Sequence, residues 1–469
     1  MTQPLWRLDA VELAARIRRK DVSCVEATQS VLDRIAAVDP SVNALPLKYP
    51  EEALAAARAA DQQLARGEPV GELHGVPVSI KVNVDVAGQP TDGGIVALKD
   101  LMATQDAPLV RHLKNAGAVI VGRNNVPSFS LRWFSDNDLH GRTLNPWDAQ
   151  RTPGGSSGGA AAAAALGMGP IHHGNDYGGS IRYPAFACGV VGMRPTAGRI
   201  AAVNATAKED RILSNQQMSV QGPLTRSVAD ARLALKVMSQ EDPRDPLWVP
   251  APLEYPSRKE PLKVALFKRW SGCDTHPTVR AALEQAAQWL ADAGCVVEEQ
   301  EPPHFEEATV LWRQLVHDDM RRSMKPAIDA LGDRAVRTAV RGYFGSIPDW
   351  SRDQYLTAQQ RRLTIARAWS LFYAQYPVLL MPVSWERQFP IDEDQRGQER
   401  LEQMLAAQSP LLATAMLGLP GLSVPTGVAD GLPTGVQLCA TRYREDLCLA
   451  AGEIVERAAR FRPLDHLAG

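Results

Sequence analysis

The chain has 469 residues, enough for one large domain or about three of ordinary size. With 45% hydrophobic and 22% charged residues it has the makeup of a folded globular chain, which excludes disorder, collagen and coiled coil as descriptions of the whole. Lys plus Arg number 51 and Asp plus Glu 53, a net charge of -2 that supplies no field for a phosphate backbone or an anionic membrane surface, so no direct nucleic-acid or membrane partner is expected.

The first residues, MTQPLWRLDAVELAARIRRK, mix acids with bases and lack the apolar run of a signal peptide. No stretch of 18 apolar residues follows, and the expectation is a soluble chain. Six scattered cysteines (Cys24, Cys188, Cys273, Cys295, Cys439, Cys448) form no CxxC pair and read as thiols of a reducing cytoplasm.

In chain order, residues 1–65 read as helical. Asp9 with Glu12, and Ser23 with Glu26, have capping-box spacing, and Pro50 opens a third helix that runs to Gly67. Val78, Ile80, Val82 and Val84 then alternate with Ser79, Lys81, Asn83 and Asp85, the period of a strand with one apolar and one polar face. Residues 108–121 read as a helix closed at Gly117 with a short strand after it, and residues 279–299 repeat that grammar around Gly294. Further strands are expected at 263–267, 378–381 and 435–440, with helices at 227–238, 350–374 and 445–459. Segments 241–261 and 383–400 read as loops. Alternating helix and strand predicts an α/β layered fold.

The chemistry concentrates in residues 151–199. Two glycine clusters, Gly154-Gly155-Ser156-Ser157-Gly158-Gly159 and Gly178-Gly179-Ser180, present serines on permissive backbone, and an alanine run between them makes a slim helix able to lie deep in the fold. Gly154 to Gly158 satisfies G-x-S-x-G, but an elbow of that kind follows a buried strand, and NPWDAQRTP is polar and proline-broken. A phosphate loop fails for want of a lysine after the glycines. His172 and His173, adjacent on a strand, point to opposite sides and do not make a metal site.

The string GGSSGG, a helix, then DYGGSIRYPA, all preceded by HGVPVSIKVNVDVAG, resembles the amidase signature family of Ser-Ser-Lys amide hydrolases. Matching segments LKNAGAVIVGRNNVPSF, CGVVGMRPTAGRI, QGPLTRSVADA and GLPTGVQLCA extend the likeness over residues 5–240 and 410–460. It implies one amidase signature domain over residues 1–469, a mixed and mostly parallel sheet covered by helices, with 1–65 as its helical start and about 241–410 as a more variable region at the substrate pocket.

A serine hydroxyl needs a base in reach, and a lysine serves when burial keeps it neutral. On its own, Lys81 reads equally as a solvated strand lysine or as a partner of Asp85. The resemblance assigns Lys81 as the base, Ser180 as the nucleophile and Ser156, which the family holds in a cis peptide, as the relay between them. It places the oxyanion hole at the backbone N–H groups of Tyr177, Gly178, Gly179 and Ser180, and gives Ser157 a supporting role. No metal or cofactor is implied. Where the family often reads IKDN and GTDTGGS, this chain has Ile80-Lys81-Val82-Asn83 and Gly174-Asn175-Asp176-Tyr177-Gly178-Gly179-Ser180, departures that bear on the pocket. Asp176 and Arg182 are expected to brace the nucleophile loop as an ion pair.

Two functions fit. One is a free-standing hydrolase of an aryl or otherwise apolar amide, with Phe129, Leu131, Trp133 and Phe134 as the wall of the acyl pocket and a small-molecule amide as its partner; a homodimer is compatible with it. The other is the glutaminase-type subunit of a tRNA-dependent amidotransferase, which would need charged groups for the ends of glutamine.

Overall fold

In the computed structural model, residues 3–256 and 260–467 are described; residues 257–259 of the expected loop 241–261 lie outside them. Eleven strands form one sheet: β1 (Leu47–Lys48), β2 (Pro77–Lys81), β3 (Val119–Asn124), β4 (Ile171–Asp176), β5 (Val191–Arg194), β6 (Val220–Thr225), β7 (Lys263–Leu266), β8 (Val296–Glu299), β9 (Val378–Met381), β10 (Gly421–Ala429) and β11 (Leu432–Ala440). Their spatial order is β1-β3-β2-β4-β6-β5-β10-β11-β9-β7-β8.

The sheet is mixed, and its parallel pairs lie on the flanks: β2 with β3 and β4, and β7 with β8 and β9. The centre from β4 to β9 is antiparallel throughout. The parallel emphasis drawn from the resemblance therefore holds for the flanks alone. The physical reason is connection length. β3 and β8 follow helices that carry the chain back across the sheet, whereas β10 and β11 are joined by Asp430-Gly431, both with positive φ (49° and 76°), the twist that a two-residue hairpin requires.

The helical start forms as read, with one difference at its first cap. Ser23 and Glu26 make the expected capping box on helix Cys24–Val38, and Pro50 opens helix Pro50–Ala65. Asp9 precedes helix Ala10–Arg18 without capping it; its carboxylate pairs with Arg462 at 3.0 Å. The cap comes from a distant residue, Asp230, which accepts from the Ala10 and Val11 N–H groups at 2.8 and 3.0 Å. Residues 305–416, in which only 350–374 was read as helix, fold into the helices Phe305–Ser323, Lys325–Leu331, Arg334–Gly345, Arg352–Gln375, Gln398–Ala407 and Ser409–Met416.

β2 is buried on both faces. The apolar face of the predicted alternation, Val78 and Ile80, joins the main core, while Ser79 and Lys81 face an equally buried polar layer. The strand ends at Lys81, so Val82 to Asp85 continue as loop and Asp85 binds Thr206. Helix Gly158–Ala165 is buried over its whole length and passes so close to its neighbours that a methyl group on Gly159 would collide with the Asn125 N and the Ala44 carbonyl oxygen. Both obstacles are backbone, which yields little. Gly159→Ala is expected to cost about 1–3 kcal/mol from overpacking, read as a lower denaturation midpoint with an unchanged slope.

Candidate active site

Three segments converge at the ends of β2 and β4. β2 delivers Lys81, the loop before helix Gly158–Ala165 delivers Ser156 and Ser157, and the turn after β4 delivers Tyr177 to Ser180. β4 runs parallel to β2, which sets Asn175 beside the lysine. Lys81 is wholly buried, and its Nζ lies 2.7 Å from Ser156 Oγ, 3.0 Å from Ser157 Oγ and 2.6 Å from Asn175 Oδ1. The Gly155–Ser156 peptide is cis.

Burial drives the Lys81 ammonium well below its ordinary pKa, with the Asp176 charge opposing in part. A neutral amine has two hydrogens and one lone pair. Asn175 Oδ1 only accepts, so one N–H is committed there; Asn175 is itself held by its Nδ2 donating to Asn83 Oδ1 at 3.1 Å. A second N–H serves one serine, and the lone pair faces the hydroxyl of the other. Ser157 also donates to the Asn175 carbonyl at 3.3 Å, a geometry that leaves Ser156 as the hydroxyl poised to give up its proton. The ion pair with Asp85 is not formed.

The nucleophile loop is tied down from both sides. Asp176 accepts from the Gly179 and Ile181 N–H groups at 2.8 and 3.2 Å, pairs with Arg182 through Nε and Nη2 at 3.0 Å each, and meets Arg194 Nη1 at 3.0 Å. Burial alone would raise the Asp176 carboxyl, but the two guanidiniums outweigh it and hold the group below the usual carboxylate range. The expected Asp176–Arg182 brace is thus present, with Arg194 as a third member. The Ser180 carbonyl accepts from the Ser157 N–H at 3.2 Å, which joins the two serine loops directly.

Of the four expected oxyanion donors, the Gly179 N–H is occupied by Asp176, while those of Tyr177, Gly178 and Ser180 bond to no described residue. Trp312 Nε1 donates to the Tyr177 carbonyl at 3.0 Å and Trp133 Nε1 to the Gly178 carbonyl at 3.2 Å. In a trans peptide the C=O and N–H point oppositely, so pinning the Tyr177 carbonyl also aims the Gly178 N–H.

Ser180 lines a largely apolar cavity. Leu131 and Trp133 line it, as does the Tyr177 ring; Phe129 and Phe134 are not on its wall, and Phe134 stacks on Phe389 at 6.5 Å. Helix Phe305–Ser323 also lines the cavity, through Trp312, Val316, His317 and Met320, together with Tyr343. Sequence reasoning names none of these as pocket residues, sets His317 aside as lying in a context unlike an active site, and does not name Asn175 as the partner of the lysine; spacings of four, five and eight residues from Trp312 mark one helical face, a signal shared with any packed helix. His172 and His173 are engaged by Ser79 and Gly169 and by Gln221, and burial pushes both down to about 3.

A family model described as Amidase matches residues 26–449. The chain is 45% identical to an indoleacetamide hydrolase of Bradyrhizobium diazoefficiens over 97% of its own length and 87% of that protein, and 33% identical to a glutamyl-tRNA(Gln) amidotransferase subunit of Moorella thermoacetica over 97% and 98%. In structure it superposes on a bacterial aryl acylamidase of the amidase signature family with a TM-score of 0.86, 27% identity and coverage of 100% and 99%. The chain belongs to the amidase family. It is an enzyme that hydrolyses a carbon–nitrogen amide bond. Among the described residues no helix is long and apolar enough to cross a membrane.

With Lys81 as the base that the family resemblance implies, activity is expected to rise with pH through its working pKa, because a base must lose its proton before it can accept one. Since burial lowers that value, the rise should be complete well below pH 10.5, the ordinary value for lysine. A pH profile of kcat/KM that climbs only near the ordinary lysine range would contradict a neutral buried base.

Proposed function

We propose that the enzyme hydrolyses a small aryl or otherwise apolar carboxylic amide through an acyl-enzyme on Ser180. The observation that carries this reading is the buried Lys81 amine at 2.7 Å from Ser156, on a loop bonded to the nucleophile loop, beside an aromatic cavity. Ser180 Oγ attacks the amide carbon, its proton passes to Ser156, and the Ser156 proton passes to Lys81. The carbonyl oxygen gathers negative charge among the N–H groups of Tyr177, Gly178 and Ser180; Gly179 joins if its bond to Asp176 opens. Collapse breaks the C–N bond and returns the proton to the departing amine. Water then repeats the sequence on the ester and frees the acid.

An apolar acyl group suits the wall. Arg132, its one permanently charged side chain among the described residues, is tied to Asp394 at 2.6 and 2.8 Å and to Asp392 at 3.1 Å. That supports an aryl amide over glutamine, and agrees with the substrate named for the indoleacetamide hydrolase relative. All six cysteines are free, which supports a reducing, cytoplasmic setting.

Ser180→Ala is expected to abolish turnover while leaving the melting temperature nearly unchanged, and mass spectrometry of the wild type with a slow substrate should place the acyl group on Ser180. An acyl group elsewhere overturns the assignment. Leu131→Ala should lower kcat/KM for aryl amides about tenfold, on the order of 1–3 kcal/mol, with acetamide little affected. Phe134→Ala, by contrast, should lower the melting temperature and leave the ratio of aryl to small amides where it was.

A further inference from the structure

The polar side-chain atoms of the aromatic residues Trp133, Trp312 and Tyr177 on the cavity wall are satisfied within the protein. The indole N–H groups of Trp133 and Trp312 hold backbone carbonyls, and the Tyr177 hydroxyl bonds Ser214 Oγ at 2.5 Å. His317 differs. It sits on the cavity-lining face of helix Phe305–Ser323, 2% exposed, and neither ring nitrogen bonds to a described residue; Nδ1 is wholly buried without a partner. What fixes the ring is aromatic packing: it stacks on Tyr343 at 5.0 Å and 16°, and meets Trp312 edge to face at 5.7 Å and 80°.

Leaving a buried polar nitrogen unpaired is unfavourable, and a histidine held in place without hydrogen bonds keeps them for something else. Burial, with Arg313 and Arg321 nearby, pushes the imidazole down to about 3, so at neutral pH it is uncharged and offers one lone pair and one N–H. Arg132 also lines the cavity and has a buried Nη1 without a partner, but its charge is met by two carboxylates and its Cζ lies 5.3 Å from the Phe134 ring.

We propose that His317 is a specificity-determining residue that accepts a hydrogen bond from an N–H or O–H on the aromatic ring of the acyl group, so that the preferred substrates are amides of heteroaryl or hydroxyaryl acids. The inference rests on the aryl-amide reading above and narrows it. A plain aromatic ring fills the same space and leaves the imidazole lone pair unmatched, and a site built around such a pair rejects the analogue lacking the donor more strongly than one missing a methylene. Because His317 lines the same cavity as Ser180 and takes no part in the proton relay, it would orient the acyl group without acting on the scissile bond.

The test compares indoleacetamide with naphthaleneacetamide, rings of similar size of which only the first carries an N–H, on the wild type, His317→Phe and His317→Gln, with melting temperatures as the control for folding. Wild-type kcat/KM should favour indoleacetamide about 10–100-fold. His317→Phe keeps the stack on Tyr343 and should bring the ratio near one by lowering the indole rate, with the naphthalene rate held within about threefold. Should that variant not fold, His317→Gln carries the same comparison and should retain part of the preference through its amide oxygen. Equal wild-type rates, or a preference that survives in His317→Phe, or a parallel fall of both substrates overturns the role of His317 and leaves aryl-amide hydrolysis standing. Failure of the wild type to hydrolyse either amide overturns both readings.

Discussion

A lysine amine with no access to solvent sets the terms for everything around it. Burying an ammonium is unfavourable and drives the Lys81 pKa well below its ordinary value, and the amine still demands hydrogen-bond partners. Its two serines and one asparagine come from chain segments far apart in sequence, so the arrangement depends on β2 and β4 lying parallel and on the loop into helix Gly158–Ala165 passing within reach of both. The polar layer extends beyond the lysine. Ser79 bonds both Asn124 and His172, and Asn124 reaches the His173 carbonyl, so the polar face of β2 is satisfied by side chains where an exposed strand would use water.

The second constraint is the knot of Asp176, Arg182 and Arg194. Three buried charges tolerate one another because the carboxylate is shared and its remaining lone pairs meet backbone N–H groups. Its product is geometric. With Asp176 gripping Gly179 and Ile181, and two tryptophans gripping the Tyr177 and Gly178 carbonyls, the nucleophile turn has few ways to move. Preorganisation of this kind lets N–H donors stabilise developing charge without reorienting during the reaction.

Much of this was readable in advance, for reasons that differ by element. The helix starts at Ser23 and Pro50, and the strand carrying Lys81, follow from local rules of capping and periodicity. The catalytic set was named through its likeness to a family, since spacing alone left Lys81 open to pairing with Asp85. What local rules could not supply was long-range partnership. The cap on helix Ala10–Arg18 belongs to Asp230, 220 residues away, and Asn175 reads in sequence as one more polar strand residue. Phe134 illustrates the same limit from the other side: it is as aromatic as Trp133, yet one neighbour faces the cavity and the other faces Phe389. The hairpin of β10 and β11 was the exception, because its Asp-Gly turn was a local signal left unused.

The division of labour between the two parts of the chain follows from these contacts. Residues 81–194 hold the proposed reacting groups, and the helices between Phe305 and Ala407 supply Trp312, His317, Tyr343 and Leu405 to the cavity wall. The two are not independent, because Trp312 belongs to both. Its ring forms part of the wall and packs on Tyr177 at 5.9 Å, while its N–H holds the carbonyl that aims the Gly178 N–H. A substrate that shifts Trp312 therefore shifts a donor of the proposed oxyanion hole. Pocket fit acts on the rate of bond breaking as well as on binding, which is where an enzyme gains most from its contacts with the unreactive end of a substrate.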